Sequence, residues 1–151
     1  MRFWPQALVF ELDGMLVEKD SDPARAALGA RDLLQSLKEH PWGVVTTTSV
    51  EEGRNRLSEA GLPNPPALVS EPDLEAGTAF RRVVDAMGVQ ARETVAFAAT
   101  PAAMIGADMC GMEVVRLLRT TASVPTPWWI VDLGQIYSDM RAGHWAVTIA
   151  G

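Results

Sequence analysis

Two carboxylates, Glu11 and Asp13, close the apolar run Ala7-Leu8-Val9-Phe10, and Gly14 follows them directly. At positions i and i+2 of a continuing strand, both side chains point to one face. Held that close without a metal, the two acids resist ionising together, and one pKa rises. Such a pair can take up and return a proton near neutral pH, which is general acid/base chemistry. The plainer alternative is two solvated acids at a strand end, partly neutralised by backbone N–H groups. Open α/β sheets build their sites at this kind of place, where a strand delivers polar groups to its carboxyl edge and a glycine turns the chain away.

No other residue set offers comparable chemistry. Cys110 lies in an Ala- and Met-rich stretch and reads as a small buried hydrophobe. His40 reads as a surface residue at a helix end, and neither it nor His144 has a partner at metal-ligand spacing, so no metal site is expected. Glycine-rich phosphate loops are missing, so no nucleotide cofactor is expected either. Thr46 and Thr47 either line a substrate-binding strand end or simply terminate the strand ahead of Ser49. The tryptophans 128, 129 and 145 either pack the core and sheet edge or anchor a homodimer contact.

The elements that must position these residues alternate along the chain. Leu8 to Leu12 reads as a buried strand. Asp22-Pro23 reads as a helix start, with Leu28, Leu33, Leu34 and Leu37 following until His40-Pro41 stops it. A strand over Gly43 to Thr47 precedes a helix capped by Ser49, with Glu52 at the capping-box position and Gly61 as its end. Ala67 to Val69 is a short strand. Phe80, Val83, Val84 and Met87 share one helical face closed by Gly88. Thr94 to Ala98 is a strand, Thr100-Pro101 opens a helix reaching Cys110-Gly111, and Met112 to Leu117 is a further strand. In the tail, Trp128 to Val131 suggests an edge strand, Leu133 to Arg141 a helix, and His144 to Ile149 a last strand. Alternation of this kind implies a mainly parallel sheet covered on both faces, a three-layer α/β/α Rossmann-like sandwich.

A chain of 151 residues reads as one domain, residues 1–151, with 48% hydrophobic and 21% charged residues. The formal charge of −6, without a basic cluster, argues against nucleic acid or an anionic membrane as partner. A single cysteine suits a reducing compartment. No apolar segment is long enough to span a bilayer, and Met1-Arg2-Phe3-Trp4-Pro5 does not open a signal peptide, so the expected location is the cytoplasm.

The stretch from Ala7 to Val17 resembles the first motif of the haloacid dehalogenase (HAD) superfamily, an apolar strand followed by Asp-x-Asp-Gly-Thr, with Glu11 in place of the first Asp and Met15 in place of Thr. Pro41 to Thr47 is similar to the second motif, Asp73 to Ala79 to the third, and Val95 to Met104 to the fourth; together they span roughly Ala7 to Leu133 and look most like the small sugar and polyol phosphate phosphatases. The resemblance implies a HAD-like core. Only a loop and one helix separate Asp13 from Thr46, which leaves no room for the usual cap domain.

In that family the first acid attacks phosphorus, the second is the general acid/base, a third-motif Lys neutralises phosphate, and fourth-motif acids hold Mg²⁺. Here Thr78 stands at the Lys position and Ala98 and Ala99 at the acid positions. Phosphoryl transfer needs positive charge and metal, and two alanines supply neither. The longer Glu11 side chain also spoils an in-line attack, since misplacement on the order of 1 Å costs about a hundredfold in rate. Met15, Thr78, Ala98, Ala99 and Met104 make the corresponding site apolar and roomy. The leading expectation is a repurposed small-molecule enzyme of specialised metabolism, in which Glu11 and Asp13 perform metal-free cyclisation, isomerisation, dehydration or hydrolysis. Substrate contacts would come from Met15, Thr46, Thr47, Thr78, Ala98, Ala99 and Met104. A non-catalytic binding or assembly module and a weak residual HAD hydrolase are the alternatives.

Overall fold

The computed structural model describes residues 1–121 and 123–150. Its strands and helices follow in the order β1 (Arg2–Phe3), β2 (Ala7–Glu11), α1 (Ala30–Ser36), β3 (Trp42–Thr46), α2 (Val50–Glu59), β4 (Ala67–Ser70), α3 (Thr78–Met87), β5 (Thr94–Ala98), α4 (Pro101–Met109), β6 (Glu113–Leu117), β7 (Trp128–Ile130), β8 (Ile136–Arg141) and β9 (His144–Ile149). Six strands form one sheet in the order β4-β3-β2-β5-β6-β7, parallel at every pairing. β2 is where the winding reverses: β3 and β4 continue to one side, and β5 starts the other. Ligand sites of open α/β sheets lie beyond the carboxyl end of the strands at such a switch point. Glu11 ends β2 at this place.

Strand periodicity sorts the core into two layers. Leu8, Phe10 and Leu12 face a cluster that includes Leu34, Leu57 and Ala60 of α1, α2 and its C-cap, together with Val147 and Ile149 of β9. Val9, Ala96 and Ala98 face Phe80, Val83, Met104 and Ala107 of α3 and α4. Phe10 stacks on Phe97 of the neighbouring strand at 5.0 Å between centroids and 15° between planes, a geometry that adds to plain area burial. α4 approaches the loop before α3 closely. A Cβ at Gly106 would stand 1.8 Å from the Leu74 carbonyl oxygen, so that contact requires glycine.

Two sequence expectations fail here. Asp22-Pro23 does not open a helix. The chain leaves β2 through a single helical turn, with Leu16 and Val17 N–H donating to the Leu12 carbonyl, and then folds back as a flap. In the flap, Glu18 N–H donates to the Arg25 carbonyl and Ala27 N–H to that of Leu16. Pro23 sits within the flap, and α1 begins only at Ala30. Leu133 to Arg141 is not a helix either. A 3-10 turn over Leu133–Gln135 leads into β8, which pairs antiparallel with β9 around Ala142 (φ 51°) and Gly143 (φ 80°). Two successive residues at positive φ make the tight hairpin that strand twist favours. With β1, these strands form a separate three-stranded antiparallel sheet.

No helix among the described residues is long and apolar enough to cross a membrane. Between Asp13 and β3 lie only the turn, the flap and α1, with no cap domain.

Candidate functional site

Glu11 shares the face of Val9, so its side chain projects toward α4 rather than toward α2. It is buried, at 6% exposure. Oε1 accepts hydrogen bonds from Ala99 N–H at 2.6 Å and Thr100 N–H at 3.0 Å, and Oε2 accepts one from the Thr100 hydroxyl at 2.8 Å. Thr100 is also the N-cap of α4, its Oγ1 accepting from Ala103 N–H. The carboxylate thus seats in the N-terminal turn of α4, where backbone donors and the helix dipole favour an anion. Burial nevertheless pushes the Glu11 pKa up, against the lowering effect of those three bonds, and the nearby Asp13 charge pushes it slightly further.

Asp13 follows a different course. The turn after Leu12, with Gly14 at φ 87°, ends the strand before the expected shared face can extend to position 13. Asp13 Oδ1 accepts from Arg56 Nε of α2 at 3.2 Å, with side-chain exposures of 33% and 17% for the acid and the arginine. Arg56 also donates to the Ser21 carbonyl, tying α2 to the flap. Beside this pair is an open hollow of about 590 Å³ bordered by Asp13, Asp20, Asp22, Glu52 and Glu59, with Arg56 as the one cation lining it among the described residues.

Further ties gather the strand-end turns. Arg119 donates to the Gly14 carbonyl, and the Thr120 hydroxyl to that of Ala99. A Cβ at Gly14 would meet the Ala99 Cβ at 3.0 Å, so the positions next to the two acids touch.

The remaining sequence-derived candidates are spread out. Thr46 is buried, and its hydroxyl is engaged by the hydroxyl and N–H of Thr48; Thr47 is exposed. Ala98 and Met104 lie in the core under α4, and Met15 in the opposite core layer at 1% exposure, while Ala99 is half-buried. Thr78 is exposed and is not brought to the acids. Its neighbour Gly77 accepts a hydrogen bond from Cys110 at the far end of α4, ten residues and so about 15 Å along the helix from Thr100. Burial pushes the Cys110 thiol up, opposed by Arg81. Trp128 packs edge-on to Phe3, Trp145 stacks on His40 at 4.4 Å, and Trp129 is 46% exposed.

Sequence reading missed Arg56, Thr100, Arg119 and Thr120 as parts of this edge. Thr100 carried a signal, since a Thr-Pro helix start two residues past a strand places its N-terminal donors at the sheet edge. The arginines carried none.

Mg²⁺ does not fit these residues. Both oxygens of Glu11 are committed to α4, Asp13 is held by Arg56, and alanines occupy positions 98 and 99. Among the described residues no three His, Cys, Asp or Glu side chains converge in a manner that could hold a metal.

An all-parallel sheet wound both ways from β2, with acids at the end of β2, defines an α/β protein of the HAD-like fold, and known structures bear this out. CbbY from Rhodobacter sphaeroides, in complex with phosphate, superposes with a TM-score of 0.73 at 12% identity, the match covering 87% of this chain and 96% of that one. The D,D-heptose 1.7-bisphosphate phosphatase from B. bronchiseptica, complexed with magnesium and phosphate, gives 0.70 at 12% identity over 85% and 94%. A HAD-superfamily hydrolase from Ehrlichia chaffeensis gives 0.72 at 11% over 87% and 93%. No family model and no curated protein matches the sequence. The chain therefore has the HAD-like fold, without a cap.

Proposed function

We propose that this chain is a non-catalytic HAD-fold binding module in which the nucleophile position has become an internal tie. The observation that carries the reading is the Glu11 carboxylate seated in the first turn of α4, with both of its oxygens engaged by Ala99 and Thr100. An acid whose oxygens already accept three hydrogen bonds has little freedom to attack phosphorus or shuttle a proton. Its extra methylene, a defect for in-line attack, is what lets it span from β2 to α4. The hollow beside Asp13 supports the same conclusion, because five carboxylates against one arginine repel a phosphate dianion.

Metal-free acid/base catalysis is the second reading. It is favoured by the burial that pushes the Glu11 pKa up and by the nearby Asp13 charge that adds to it, since perturbed acids cluster at functional sites. Activity separates the two. Purified protein is expected to release no phosphate from small sugar phosphates and no heat on titration with millimolar Mg²⁺. Mg²⁺-dependent turnover abolished by Glu11→Gln would overturn the proposal. Metal-independent conversion of a small molecule, lost in Glu11→Gln while the variant stays folded, would establish the second reading instead.

A further inference from the structure

A second recess opens on the other side of the Gly14 turn, between the flap and the carboxyl ends of β6 and β7. Its volume is about 340 Å³, at the lower end of the range of small-molecule sites. Met15, Leu117 and Leu133 form its floor at 1%, 3% and 2% exposure. Leu28 and Val131 stand along its sides at 74% and 57% exposure, leaving apolar surface in water around a concave site.

The charges at its rim are unequal in their commitments. Glu18 is paired with Arg25 at 2.7 Å, and Asp132 accepts from Gly134 N–H at 2.7 Å. Lys19 and Arg119 have no ion-pair partner among the described residues. Arg119 spends one Nη2 bond on the Gly14 carbonyl at 3.1 Å, which fixes the guanidinium at the rim and leaves other N–H groups of its planar fork available. A guanidinium oriented this way matches a carboxylate.

We propose that this recess binds a compact amphipathic monoacid, its aromatic or branched aliphatic body on Met15, Leu117 and Leu133 and its carboxylate on Arg119 and Lys19. A single negative charge suits it better than a phosphate dianion, because Glu18 and Asp132 remain close by. The site does not use Glu11 or Asp13, so it stands whether or not that pair is catalytic.

Titration of the isotope-labelled chain with 2-naphthoate, followed through backbone amide shifts, tests the assignment. Saturable shifts are expected at Gly14, Leu117 and Leu133. The uncharged 2-naphthamide is expected to bind at least tenfold more weakly, and Arg119→Ala to weaken 2-naphthoate by a similar factor. Arg119 is exposed, and an otherwise unchanged amide spectrum shows that the variant is folded; Lys19→Ala gives a second, milder loss. Equal binding of acid and amide would overturn the proposal, as would shifts mapping away from this recess, or no saturation at all. None of these outcomes depends on the phosphate-release or Mg²⁺ measurements.

Discussion

Glu11 and Asp13 stand two residues apart on one strand end, yet the fold treats them as different kinds of group. Glu11 is drawn inward and becomes a ligand for the N-terminus of α4. Asp13 turns outward and meets Arg56 at the solvent boundary. The divergence comes from Gly14 and the helical turn after Leu12, which break the strand's alternation between the two acids. The spacing of two acids therefore says little about their chemistry until the backbone between and after them is known. In this molecule one acid contributes to architecture and the other to a surface ion pair.

The largest effect is expected on removing the inner acid. Glu11→Ala leaves the Ala99 and Thr100 N–H groups and the Thr100 hydroxyl without their acceptor in a largely buried place. Unsatisfied buried donors cost about 1–3 kcal/mol each, and water entering the gap offsets part of this, so a loss of about 2–4 kcal/mol in urea unfolding is expected. Formate, which can occupy the vacated cradle, is expected to restore some of it. A loss below about 1 kcal/mol would erase the contrast between the two acids.

A smaller effect concerns pH. Burial raises the Glu11 pKa, so between its ordinary value of 4.5 and its raised folded value the native state holds more proton than the unfolded chain. The stability contributed by this group is complete below pH 4.5 and is lost as pH rises through the folded value. Glu11→Gln removes that titration. The stability of the wild type relative to Glu11→Gln is therefore expected to be greatest in acid and to decline toward neutral pH, measured by urea unfolding across the range. A flat difference would mean that the three hydrogen bonds cancel the burial cost.

Much of the parallel sheet was legible because each strand is a short apolar run bounded by glycine, proline or a cap. Thr94 to Ala98 and the Ser49 and Thr100 caps fall where the residues place them. The failures share one cause, which is that polar and small residues were weighed for local propensity while tertiary pairing decided. The leucines after Pro23 suggested a helix from that proline, but the flap bridges Val17 to both Asp13 and Ala26, and the helix starts only at Ala30. In β8, Ile136, Ser138 and Met140 alternate with Tyr137, Asp139 and Arg141, a period of two hidden by the lack of an Asn-Gly turn. At the edge of the sheet the acids were legible as residues and their partners were not. Arg56 lies 43 positions from Asp13 and Thr100 lies 89 from Glu11, and no local pattern reports contacts over such separations.

The smallest expected effect comes from the outer acid. Asp13→Asn keeps an oxygen to accept from Arg56 and removes only the charge. The pair is partly exposed, so a change of under about 1 kcal/mol is expected in urea unfolding. Its consequence for Glu11 is more telling. The Asp13 charge is the weakest of the influences on that group, and burial is the strongest. Removing it should move the midpoint of the Glu11-dependent stability change only slightly toward acid. Were the midpoint instead to fall back into the ordinary carboxylate range, the Asp13 charge rather than burial would be what raises the Glu11 pKa. Coupling of that strength is what proton transfer between substrate and protein would draw on, and it would return the pair to the acid/base reading.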